Sequence, residues 1–138
     1  MPGLSLSDAR AALDAGLAEA EAIGQPMNVA VVDDGGHLLA FARQDGAIRA
    51  SIDIAQRKAR TSILMEAPTA ALMPLVQPGA ELYGLEQTAD GLVVFGGGIP
   101  VYRSGVLVGA VGVSAGSVEQ DVRVASAAVA AISLSVSA

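Results

Sequence analysis

The one histidine of the chain, His37, directly follows the turn residues Asp34-Gly35-Gly36. An imidazole can ligate haem iron, and it can also transfer a proton near neutral pH. A histidine in a turn can equally be a solvated side chain with neither role. The sequence therefore makes His37 a candidate metal ligand and a candidate catalytic residue, with an exposed turn side chain as the alternative.

The one lysine, Lys58, is the second candidate, because the other seven basic side chains are arginines. It falls within a predicted helix that is apolar on two sides, so its ammonium is expected to be buried. A buried lysine can bind a carboxylate or act as a base. The alternative is a salt bridge to Asp53, to Asp121 or to a neighbouring subunit.

Two glycine-rich segments lie at the ends of predicted strands, where bare backbone N–H groups could meet an anion or a polar ligand. The first is Gly96-Gly97-Gly98, and the second is Gly112–Gly116, which includes Ser114 and Ala115 and enters a predicted helix. Neither is a dinucleotide fingerprint, because no βαβ unit surrounds it, and neither is a P-loop, because no Gly-Lys-Ser/Thr follows. Both segments are therefore candidate ligand-binding elements of another kind.

Charged side chains beside these elements give weaker signals. Arg43, Asp45 and Arg49 flank the end of the second predicted strand, and they could line the mouth of a pocket or remain solvated loop charges. Glu119 and Asp121 fall in the first turn of the last predicted helix, where the helix dipole stabilises carboxylates whatever the function. Arg49 is kept as a ligand-binding candidate, and the two carboxylates are expected to stabilise the helix N-terminus.

Composition excludes several classes of partner. The chain of 138 residues has a net charge of −6 and one lysine, which argues against binding to nucleic acid or to an anionic membrane surface. It has no cysteine, so disulfides and thiolate metal sites are excluded. No apolar run approaches the roughly 18 residues of a membrane helix, and no secretion signal is evident, so a cytoplasmic protein is expected.

Hydrophobic periodicity and turn signals predict the element order α-β-β-α-α-β-β-β-α. The predicted helices are 5–23, 48–65, about 68–77 and 117–132, and the predicted strands are 28–33, 37–43, 91–95, 99–103 and 106–114. This order predicts an α/β fold of the α+β kind, in which one domain over residues 1–138 has a five-stranded antiparallel sheet with helices on its faces.

The predicted helix 48–65 also predicts self-association. One apolar stripe of this helix would face the sheet. A second stripe contains Ile54, Thr61 and Met65, and a domain of this size normally buries only one stripe. The second stripe is therefore expected to contact another subunit in a homo-oligomer.

Five motifs in order resemble the GlcG/HbpS-like haem-binding family, which is similar to the C-terminal part of PduO-type cobalamin adenosyltransferases. The motifs are Asp33-Asp34-Gly35-Gly36-His37-Leu38, Asp45-Gly46-Ala47, Ser51–Thr61, Phe95-Gly96-Gly97-Gly98-Ile99-Pro100, and Gly109–Gly116 with Glu119-Gln120-Asp121. The resemblance implies a profilin-like α-β-α sandwich with a five-stranded antiparallel sheet, usually in oligomers, and haem binding in some members.

The chain departs from this family in two ways. Ala115 occupies a position where many relatives have glycine. Relatives also carry additional histidines, whereas this chain has only His37, so a bis-histidine haem site within one subunit is impossible.

These observations lead to three functional hypotheses. The first is a cytoplasmic small-ligand-binding protein, for which the resemblance implies haem or a related tetrapyrrole, with His37 as the metal ligand. The second is a small enzyme that acts by proton transfer on a carboxylate or hydroxy acid, with Lys58 holding the anion and His37 moving the proton. The third is an accessory structural subunit without a ligand. The sequence leaves open whether the protein is an enzyme.

Overall fold

A computed structural model of the chain describes residues 3–136, with side chains as far as residue 132. The outermost residues of the predicted domain, 1–2 and 137–138, lie outside the described residues. The helices are α1 (Leu6–Ala22), α2 (Ala50–Met65) and α3 (Val118–Val136), and the strands are β1 (Asn28–Asp33), β2 (Leu38–Arg43), β3 (Gly98–Arg103) and β4 (Val106–Ser114). Short 3-10 helices occupy Thr69–Leu75 and Leu85–Gln87.

Helix α1 begins at a capping box formed by Ser5 and Asp8. The Asp8 N–H donates to Ser5 Oγ at 3.1 Å, and the Ser5 N–H donates to Asp8 Oδ2 at 3.0 Å. Small residues such as Ala12 and Gly16 face inward, which lets α1 pack closely against α3. The prediction of this helix is confirmed to within one residue at each end.

The strands form one antiparallel sheet in the order β2-β1-β4-β3, so the sheet has four strands within the described residues rather than the predicted five. The predicted strand 91–95 is wrong. Its residues Leu92–Val94 are buried but extend along α2, where the Val93 N–H donates to Thr61 Oγ1 at 3.1 Å instead of to another strand. The apolar residues of this segment are buried against a helix, and their backbone forms no hydrogen-bonded pairing with a strand in residues 3–136.

Helix α2 covers one face of the sheet, over β1, β4 and β3, while α1 and α3 lie on the other face. Its close approach depends on Gly112 of β4, because a side chain there would collide with the backbone of Ala55 and Ala59. The core between the sheet and helices α1 and α3 is aliphatic, with valines of β1 and β4 against alanines of the helices. The close packing of α2 against the sheet thus explains why β4 has a glycine at position 112.

Two of the three residues that define the second stripe of α2 pack against the chain itself. Thr61 is fully buried, and Met65 packs against Leu72, Val76 and Val94, which belong to the segment that connects α2 to β3. The expectation that this stripe requires another subunit is therefore wrong for Thr61 and Met65. Homo-oligomerisation remains a prediction that needs a different surface.

Candidate functional site

The turn between β1 and β2 holds His37 in a defined position beside a carboxylate. Asp33 Oδ1 accepts hydrogen bonds from the N–H groups of Gly35 and His37, each at 2.9 Å, and it lies 3.3 Å from the His37 Nδ1 atom. The His37 side chain is 83% exposed. The turn therefore orients the imidazole while leaving its other face in solvent.

The carboxyl group of Asp33 in this turn has a lowered pKa. Burial alone would raise the pKa of the Asp33 carboxyl, but the two backbone N–H groups and the nearby imidazole outweigh this effect and lower the pKa below its ordinary value. Asp33 thus stays ionised at neutral pH and attracts a proton on Nδ1. Metal-binding histidines commonly use such a carboxylate, because it fixes the ring and leaves Nε2 free to coordinate.

Lys58 lies in a different environment, with no exposed surface. Its ammonium donates to the Val113 carbonyl at 2.8 Å and to Asp121 Oδ2 at 2.9 Å, and it lies 5.0 Å from the centre of the Phe95 ring. Asp121 Oδ1 also accepts the Gly116 N–H at 3.0 Å. Of the salt-bridge partners that the sequence left open for Lys58, the structure shows Asp121.

Burial acts on both members of this pair. It lowers the pKa of Lys58 and raises the pKa of Asp121, because each charged group loses hydration, and the hydrogen bond between them opposes both effects. The pair links α2, β4 and α3, three elements that are distant in sequence. Its geometry is that of an internal crosslink.

The glycine-rich segments surround this crosslink. A side chain at Gly97, where φ is +129°, would lie 2.6 Å from Lys58 Nζ, and one at Gly96 would lie 2.8 Å from Val122. The Gly98 N–H donates to Thr69 Oγ1 at 2.9 Å, and the Gly116 N–H is bonded to Asp121 as described above. The Gly98 and Gly116 donors thus already have partners within the chain, and ligand binding by these segments stays a prediction.

Ser114 and Ala115 belong to the same end of the sheet. Ser114 is buried, and its hydroxyl donates to Ser51 Oγ at 3.0 Å. Ala115 has φ of +133°, a backbone conformation that favours glycine, which explains why glycine suits this position.

Arg49 immediately precedes α2 and is exposed. Arg43 and Asp45 line an open groove of about 560 Å³, and Arg49 is not among its lining residues.

The structure does not bring His37 and Lys58 together. Ser114 pairs with Asn28 at the start of β1, whereas His37 follows the end of that strand. The six residues of β1 separate the two ends by about 16 Å, at 3.3 Å per residue. The Lys58 ammonium, which is bound to the Val113 carbonyl next to Ser114, is thus remote from His37 and has no exposed surface for a ligand that contacts the turn.

A groove that sequence analysis missed lies between α2 and the β1–β2 turn. It has a volume of about 240 Å³, and its lining residues are Val32, Gly36, Leu38, Asp53, Gln56, Arg57 and Arg60. The sequence shows that Arg57 and Arg60 lie three residues apart on one helix, but their position relative to the turn depends on tertiary packing.

No group of three or more histidine, aspartate or glutamate side chains in the described part of the chain could hold a metal ion. Among the helices over residues 3–136, none is long and apolar enough to cross a membrane.

Comparison with known proteins identifies the class to which this fold and turn belong. A family model described as haem degrading protein, HbpS-like, matches residues 4–130, and the chain therefore belongs to the HbpS-like family. It is 40% identical to corrinoid adenosyltransferase PduO of Citrobacter freundii over 96% of its own length and 41% of the relative's length. The chain thus spans about two-fifths of that larger protein.

Two solved structures have the same fold. Klebsiella pneumoniae protein ORFY is 37% identical, with a TM-score of 0.92 over 94% of this chain and 90% of that one. The PduOC:haem complex is 40% identical, with a TM-score of 0.90 over 94% of each chain. The expected family is confirmed, although the sheet formed by residues 3–136 has four strands rather than five.

Proposed function

We propose that this chain binds haem or a related tetrapyrrole, with His37 Nε2 as the axial ligand of the iron. The observation that carries the proposal is the placement of the one imidazole, whose Nδ1 faces the ionised Asp33 carboxylate while the ring is exposed. Membership of the HbpS-like family and likeness to a haem complex support the proposal.

The residues around the turn fit such a ligand. Leu38, the next residue, is 51% exposed and offers an apolar surface to a porphyrin edge. The strong nitrogen ligand comes from His37 alone, because the chain has no second histidine. When bound, haem would supply one-electron chemistry, and the protein would supply binding and orientation.

The proton-transfer hypothesis has less support from these residues. It requires Lys58 to hold a substrate anion beside His37, but Lys58 is fully buried in a pair with Asp121 and lies toward the other end of β1. The anion site and the proton donor would then belong to different regions of one chain. Haem binding needs only the turn.

The proposed role of Asp33 is tested by removing its charge. Asp33→Asn keeps an oxygen that can accept the turn N–H groups, but its neutral amide attracts the Nδ1 proton less strongly than the carboxylate does, so haemin affinity is expected to fall by about 10- to 100-fold. Titration of haemin followed by the Soret band measures the affinity. Asp34→Asn is the matched control, because it removes the same charge from an exposed position in the same turn and should bind as the wild type does. Equal losses in both variants would show a general charge effect and contradict a positioning role.

We further propose that the protein forms a homo-oligomer through the edge of β2. No residue of this strand is buried, and among the described residues it pairs only with β1. It has no proline and no charge before Arg43. The other edge, β3, contains Pro100, which cannot donate a hydrogen bond to a further strand. An apolar, unprotected edge is a site for strand pairing, and a second copy offers the same edge.

This assembly is tested by placing a charge on the edge. The wild type is expected to show a molar mass in light scattering that is a multiple of 13.7 kDa, and Ala42→Lys is expected to reduce it to the monomer value. Ala50→Lys places the same charge at an exposed position off the sheet and should leave the mass unchanged. A monomeric wild type at micromolar concentration would contradict the proposal.

A further inference from the structure

We infer that the groove beside the β1–β2 turn is a carboxylate subsite, in which Arg60 binds an acidic side arm of the same ligand that His37 coordinates. The inference rests on the proposed haem function and names the group of the ligand that lies next to the protein. The groove and the turn are adjacent in the chain, because its lining residues Gly36 and Leu38 lie on either side of His37.

The two arginines of the groove are not equivalent. Arg57 has its Nε occupied by a carboxylate: Nε donates to Asp53 at 2.7 Å, and Nη1 donates to the carbonyl groups of Asp90 and Gly91, so Arg57 cannot offer its Nε–Nη2 edge to a ligand. Arg60 uses only Nη1, which donates to the Ala89 carbonyl at 2.8 Å. Its Nε and Nη2 groups have no partner among the described residues, so a pair of parallel donors is available.

The charge of the groove favours an anion. Asp53 neutralises Arg57, and the carbonyl that Arg60 contacts carries no formal charge, so the groove keeps about one positive charge in a chain whose net charge is −6. The planar edge of a guanidinium matches a carboxylate with two parallel hydrogen bonds. Gln56 adds no competing charge, and its amide N–H is bonded to the Ile52 carbonyl.

The size and polarity of the groove identify the kind of group that it takes. Its 240 Å³ is below the roughly 300 to 1,000 Å³ of pockets that enclose whole ligands, so it fits a side arm rather than a complete molecule. Val32 and the half-exposed Leu38 form an apolar wall beside the arginine. An aliphatic arm that ends in a carboxylate, as a porphyrin propionate does, matches both properties.

The experiment compares haemin with haemin dimethyl ester, in which both carboxylates are blocked, using wild type and Arg60→Gln. We expect wild type to bind haemin about tenfold more tightly than the ester, because a hydrogen bond to a charged group contributes one to two decades of affinity. We expect Arg60→Gln to bind both forms with the weaker affinity and with an unchanged Soret maximum. Arg10→Gln removes the same charge from an exposed position on α1 and should keep the preference for haemin.

The outcomes separate this inference from the proposed function. Equal binding of haemin and its ester by wild type, with both dependent on His37, would overturn the carboxylate subsite and leave haem binding intact. A preference that survives in Arg60→Gln would also overturn it. The absence of His37-dependent binding of either compound would overturn the proposed function and the subsite that rests on it. Because Arg60 also holds the loop at Ala89, the melting temperature of Arg60→Gln is measured to show that the variant remains folded.

Discussion

Lys58→Met is expected to lower the free energy of unfolding by about 3 to 5 kcal/mol, because it leaves the Asp121 carboxylate buried without its partner. Methionine has a similar volume, so the loss reports the missing charge rather than a cavity. Equilibrium unfolding in urea gives the value. Arg123→Met is the matched control, since the Arg123–Glu19 pair has a similar separation of 2.8 Å but is exposed, and it should cost less than about 1 kcal/mol.

The pH dependence of two single variants tests the same crosslink with opposite signs. Burial raises the pKa of Asp121, so in Lys58→Met the folded state holds a proton that the unfolded state has released. The loss in free energy of unfolding relative to wild type should therefore shrink as the pH falls. Burial lowers the pKa of Lys58, so in Asp121→Asn the unfolded state holds a proton on Lys58 that the folded state releases more readily. The loss in free energy of unfolding should therefore shrink as the pH rises. The double variant Lys58→Met/Asp121→Asn should be more stable than the sum of the two losses predicts. Additive losses with no pH dependence would show that the pair is not coupled.

His37→Ala is expected to weaken haemin binding by more than about 100-fold, since changes to the groups that merely orient a metal ligand already cost 10- to 100-fold. The fold should be unaffected, because the side chain is exposed and packs against no core residue. The Soret titration measures binding, and a thermal melt confirms folding. An unchanged Soret maximum and affinity in a folded variant would remove His37 as the ligand.

Local signals predicted the helices and four of the strands well. The helical spacing of apolar residues and the glycine turn before His37 act within a few residues, so their effect is visible in the sequence. Residues 91–95 were misassigned because an apolar run shows only that a segment is buried. Whether Val93 bonds to a strand or to Thr61 depends on the path of the whole connection.

The candidate site was predictable in its residue types but not in its arrangement. Lys58 and Asp121 are 63 residues apart, and the sequence left Asp53, Asp121 and a neighbouring subunit open as partners of Lys58. The distance between Lys58 and His37 follows from the register of β1 with β4, which no local pattern specifies. The Arg60 groove depends on where residues 89–91 cross α2, so it could be found only from the fold.

The most direct test of His37 as the haem ligand uses the fact that the chain has one histidine, so that a ¹⁵N-histidine label gives a single imidazole spectrum. Zinc protoporphyrin, which is diamagnetic and takes one axial nitrogen, is added to the labelled protein. If His37 is the ligand, the Nε2 resonance moves on coordination while Nδ1 keeps its proton toward Asp33. Ring resonances that stay unchanged when the porphyrin is bound at saturation would contradict it.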